Sequence, residues 1–175
     1  MLPLHPVVVH FPIVLAVLLP ISAVWALWAV RKGTTVRRVW AVPVAIAAAL
    51  AVSALVAVKT GEAQDERVER VVAEQPLESH EEAAETFLAL STGLALLVAA
   101  GLLGGRAGTV ARTLGSVGAV GLVAVAAYVG HSGGKLVYEY GAASAYTGPQ
   151  VRAGTAGEQV STTGPQRASK DGDDR

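Results

Sequence analysis

The sequence predicts an all-α membrane protein, with four transmembrane helices in an up-down-up-down bundle and both termini on the outer side. Three observations predict it. Four apolar blocks, at about residues 7–30, 39–58, 87–103 and 114–129, alternate with short charged runs. Only 16% of the 175 residues are charged and 52% are hydrophobic, whereas soluble domains carry roughly a quarter charged residues. The basic residues also favour alternate loops, the pattern that sets orientation in a bilayer.

Span one, about residues 7–30, reads VVVHFPIVLAVLLPISAVWALWAV and exceeds the roughly 20 residues a bilayer crossing needs. No Lys or Arg precedes it, and it is longer than a signal-peptide core, so a retained span is expected. Span two covers about 39–58. The third apolar block is short, but Ser79 and Glu82 have capping-box spacing, which predicts a helix over 80–103, about 36 Å long. Span four can continue through Gly130 and His131 to about Val137. Together these form a transmembrane domain over residues 1–141.

Arg31, Lys32, Arg37 and Arg38 occupy the first loop, and Arg106 and Arg112 the third. The second holds nine carboxylates from Glu62 to Glu85 against Lys59, Arg67 and Arg70. Loops one and three are therefore expected on the cytoplasmic side of the cell (plasma or inner) membrane, N-out and C-out. Trp25, Trp28 and Trp40 mark the inner boundary; Tyr128, Tyr138 and Tyr140 mark the outer. Within the second loop, Val68, Val71 and Val72 fit either a short amphipathic helix over 62–75, stopped by Pro76, or a solvated linker. Gly101-x-x-x-Gly105, Gly104-x-x-x-Gly108 and the series Gly115, Gly118, Gly121 suit close helix packing, or room for a flat cofactor. Residues 142–175 are Gly, Ser, Thr, Ala and Pro with mixed charge, the composition of a disordered extracytoplasmic tail.

Chemistry is bounded by what is missing. There is no cysteine, hence no disulfide, thiolate or covalent haem attachment. No basic stripe with interleaved aromatics suggests nucleic acid. No catalytic constellation is present, so no enzyme is expected, and the apolar blocks hold no carboxylate for proton-coupled transport. The four histidines His5, His10, His80 and His131 all fall on the outer side of the predicted topology. His10 and His131 sit at similar depth on oppositely directed helices, which makes them the preferred cofactor or metal ligands; His80 and His5 are the weaker pair. Lys135, one turn after His131, would keep that imidazole neutral. Pro12 either kinks span one near His10 or starts its helix.

The run His5-Pro6-x-x-Val9-His10-Phe11-Pro12-Ile13 and the later Gly133-Gly134-Lys135-Leu136-Val137-Tyr138-Glu139-Tyr140-Gly141 resemble the two signatures of a bacterial membrane-protein family catalogued as domain of unknown function 2231. The resemblance implies a four-helix integral membrane protein with suggested haem or metal binding. It carries His5, Pro6, His10, Pro12, Gly133, Gly134, Tyr138 and Gly141; Tyr140 stands where a second histidine is expected.

Three functions fit. One is a b-type haem electron-transfer or redox accessory protein with one outer histidine site. Another is a copper- or zinc-handling protein with the acidic loop as collector. The third is a cofactor-free structural subunit of a membrane complex. The implied partners are the lipid bilayer and a membrane redox complex or a second copy of the chain.

Overall fold

The computed structural model describes residues 4–146, mostly helix joined by short connections, with no strand among them. A one-turn helix α1 (His5–Val8) leads almost without a break into α2 (His10–Arg31). Then come α3 (Val36–Glu62), the short α4 (Asp65–Val68), α5 (Glu74–Ala100), α6 (Gly105–Tyr138) and a 3₁₀ turn over Ala142–Ala145. Taken with α1, four helices are long and apolar enough to cross a membrane: His5–Arg31, Val36–Glu62, Glu74–Ala100 and Gly105–Tyr138. At 1.5 Å per residue, 27 residues reach about 40 Å, more than the hydrocarbon thickness, so the polar ends project into the headgroups.

The core is built from small residues. On α2 the buried positions are Pro12, Ala16, Leu19, Ala23, Ala26 and Ala29; on α3 they include Pro43, Ala47, Leu50, Ala54 and Ala57. Steps of three and four place each set on one stripe. The large apolar side chains point outward instead, among them Ile21, Val24, Val52, Leu55, Leu96, Val117 and Val120. Only 22–28% of each apolar window is buried. An exposed apolar belt of this extent is unstable in water. Lipid removes that penalty and leaves close backbone approach as the driving term, which favours Ala and Gly inside. The helices α2, α3, α5 and α6 pack each on its neighbour and close a ring in that order.

Hydroxyls do not disturb this core. Ser22, Ser53, Thr60, Ser91 and Ser132 each donate to the carbonyl three residues back. Among the described residues no buried side-chain polar atom lacks a partner.

One end of the ring is locked by Trp40 and Arg112. The Trp40 indole is fully buried and donates to the Val98 carbonyl at 2.8 Å. Arg112 donates from Nη1 to the carbonyls of Gly101 (2.5 Å) and Leu103 (3.4 Å), capping the C-terminus of α5. Gly101 and Gly108 are glycine for steric reasons: a Cβ at Gly101 would lie 2.3 Å from Trp40 Nε1, and one at Gly108 only 1.8 Å from the Leu103 carbonyl oxygen. The Gly-x-x-x-Gly spacings therefore span the turn from α5 to α6 and do not form one helix face. Further along, a Cβ at Gly115 or Gly118 would meet Val98 or Leu94 of α5 at 3.1 and 3.0 Å, so these glycines serve close packing, and Gly121 faces open space.

Several expected boundaries move. Helix α5 starts at Glu74, so Ser79 is not its cap, and Pro76 lies in its first turn. Proline is tolerated there because first-turn N–H groups have no intrahelical acceptor. Helix α6 starts nine residues before the apolar block at Leu114, its polar first turns wound around Arg112. In place of a short amphipathic helix over 62–75, the acidic loop holds only the single turn α4, and it is not a solvated linker. After α4 it turns back so that Val72, Leu77, Leu136 and Ala142 form a small second core with Val68. Order thus extends past residue 141 into the expected tail; residues 147–175 lie outside the described part.

Candidate functional site

At the other end of the ring, the start of α1, the end of α3, the first turns of α5 and the end of α6 converge. His5 projects from α1 onto α3, where Nδ1 lies 2.9 Å from the Ala57 carbonyl and 3.4 Å from Thr60 Oγ1. His80 of α5 reaches α6, with Nδ1 2.8 Å from Ser132 Oγ. The two imidazoles are neighbours, ring centroids 6.5 Å apart and planes 83° apart, nearly perpendicular. The structure thus brings together the two histidines ranked lower from sequence. His10 and His131 stand on exposed faces of α2 and α6.

The hydrogen bonds fix the tautomers. A carbonyl can only accept, so His5 must carry its proton on Nδ1. Ser132 spends its single hydroxyl proton on the Val129 carbonyl at 2.9 Å. It can therefore only accept from His80, whose Nδ1 is also the protonated nitrogen. In both neutral rings the free lone pair is on Nε2, the arrangement that an oriented metal-binding imidazole needs.

Two glycines seat these rings. A Cβ at Gly61 would lie 3.2 Å from His5 Cε1, and one at Gly133 only 3.0 Å from His80 Cε1. Branching at 133 is therefore expected to push His80 off Ser132. Gly133→Val should cost about 1–3 kcal/mol, read by reversible unfolding in detergent micelles. An unchanged midpoint would mean that the ring is not held against α6.

Cavities of about 400 and 420 Å³ adjoin the pair, each lined by both histidines, Pro6 and Gly133. Volumes of this size are typical of small-molecule sites. The second is almost wholly apolar and runs along Pro12, Ile13, Phe87 and Val129. The first is edged by Asp65 and Glu81 and bordered by Tyr146, whose hydroxyl donates to Gln64 and whose ring lies under the Arg67 guanidinium at 5.7 Å. Of the motif residues, Gly134 and Tyr138 line the second cavity, and Gly141 turns the chain out of α6 at φ +74°.

Asp65 and Glu81 hydrogen-bond through their carboxyls, which requires a retained proton. Burial raises the Asp65 pKa above the ordinary range; Glu69 and Glu62 add to the rise, while the Glu81 contact and His5 oppose it. A carboxyl raised on folding adds stability at low pH and loses it as pH climbs through the folded value. The thermal midpoint of the wild type should therefore fall relative to Asp65→Asn as pH climbs from the ordinary carboxylate range through the raised folded value. Parallel curves would refute a proton held at this contact.

Sequence reasoning missed Ala57, Ser132, Gly61 and the Asp65–Glu81 contact. The only signal for Gly133 was the motif, and nothing marked Gly61. No protein-family model, curated protein or solved structure matches the chain.

Proposed function

We propose that this is a four-span protein of the cell membrane, N-out and C-out, that holds one b-type haem through His5 and His80 and serves electron transfer at the outer face. The observation that carries this reading is the pair itself: two imidazoles, both fixed as Nδ1–H, at 6.5 Å. His5 and His80 would hold the haem through Nε2, the nitrogen left free by their bonds to Ala57 and Ser132.

The donor set separates haem from a bare ion. Among the described residues no group of three or more His, Asp or Glu is placed to hold a metal. Copper and zinc sites draw on three or four protein ligands. Porphyrin iron needs only two, and the macrocycle needs apolar space beside them, which the two cavities supply. When bound, the haem would supply one-electron exchange. The protein's part is to orient the imidazoles through Ala57 and Ser132, and to keep Asp65 and Glu81 nearby as a proton store.

The basic turns at the Trp40 end and the acidic segment at the histidine end support the orientation. The two family-like motifs, far apart in sequence, meet here, since Pro6 and Gly133 line the same cavities. The test is an absorption spectrum of the purified full chain, oxidised and dithionite-reduced, from cells supplied with haem. A Soret band with sharp reduced α and β bands is expected. A colourless protein would leave a cofactor-free role in a membrane complex.

A further inference from the structure

The Trp40 end of the bundle carries a charge imbalance that the haem reading does not use. Its two connections with the adjoining helix ends, residues 31–38 and 101–113, hold six cations and no carboxylate. Arg112 is the extreme case, a guanidinium only 7% exposed. Its partners are all neutral: the Gly101 and Leu103 carbonyls and Thr109 Oγ1. Of its five N–H groups, Nε–H and one on Nη2 have no acceptor among the described residues, and because no buried polar atom lacks a partner, Nε must reach the surface. Among the described residues the one ion pair, Lys59–Glu62, lies at the opposite, histidine end of the bundle.

Beside Arg112 lies an open cavity of about 490 Å³, lined by Gly105, Arg106, Thr109, Val110 and Arg112. It therefore offers two guanidinium groups with no competing acid, the Thr109 hydroxyl being engaged with the Gly105 carbonyl and Arg112. Planar guanidinium forks match phosphate oxygens, and basic pockets at the headgroup level of a span suit anionic lipids. We propose that this cavity binds a phosphate ester, the headgroup of an anionic phospholipid, through Arg106 and Arg112. The bound anion supplies the counter-charge that the buried Arg112 lacks.

The test uses the delipidated full chain in detergent and native mass spectrometry, with phosphatidylglycerol or phosphatidylcholine added at equal concentration. Phosphatidylglycerol should be retained about tenfold better, the fold-change of roughly one charge-assisted hydrogen bond. Arg106→Gln should remove most of that preference, while Arg38→Gln, at the same end but outside the cavity, should keep it. Arg112→Gln also uncaps α5, so Arg106 is the deciding variant. Inorganic phosphate in a parallel arm separates the sources: failure to displace the lipid assigns the site to a lipid headgroup, and displacement at equal concentration assigns it to soluble phosphate. Equal retention of both lipids, or equal losses in Arg106→Gln and Arg38→Gln, would overturn the proposal in favour of diffuse surface charge.

Discussion

His5→Ala and His80→Ala are each expected to abolish the Soret band, while His10→Ala and His131→Ala leave it at wild-type intensity. Each of the first two removes an imidazole whose ring is seated on a glycine and oriented by a partner on another helix. Among the described residues no group of three or more His, Asp or Glu is placed to hold a metal in their stead. Ser132→Ala should act more mildly, because it frees the His80 ring without removing its lone pair. Loss of such an orienting partner lowers metal affinity by about 10–100-fold. Haem titration of the purified variants reads all five. Retention of the band in both His5→Ala and His80→Ala would rule out the pair; its loss in His10→Ala or His131→Ala would point to ligands on the exposed faces.

The second large effect is structural. Gly108→Ala adds one carbon that would stand 1.8 Å from the Leu103 carbonyl oxygen, in backbone that cannot rotate aside. Either the turn between α5 and α6 opens or Arg112 leaves the carbonyls it caps. Overpacking of this kind costs about 3 kcal/mol. Gly104→Ala, four residues earlier, meets nothing within 4 Å and has an ordinary extended backbone, so it should stay within about 0.5 kcal/mol of wild type. Unfolding in mixed micelles compares them directly. If both variants melt with the wild type, the close approach of α6 to the end of α5 is absent in the membrane protein.

The contrast between these glycines shows where sequence reading stops. Gly101, Gly104, Gly105 and Gly108 make two overlapping small-residue motifs, and spacing alone cannot tell which glycine is sterically required. The answer depends on where the helix ends. Because α5 stops at Ala100, Gly101 lies under the Trp40 indole and Gly108 against the turn, while Gly104 faces open space.

What the sequence determined by itself is the class: an all-helical chain with four helices apolar enough to cross a membrane, and charge gathered between them. That information is local, because hydrophobic length and charge are properties of each segment. Which histidines meet was decided only by the tertiary structure. One residue along a helix turns the side chain by about 100°, so His131 is exposed while its neighbour Ser132 faces His80. His5 and His10 are likewise split, five residues apart on nearly continuous helix. Depth in the membrane could be read from hydropathy. Rotational phase could not, because it is fixed by which small residues of α3 and α6 let the helices close.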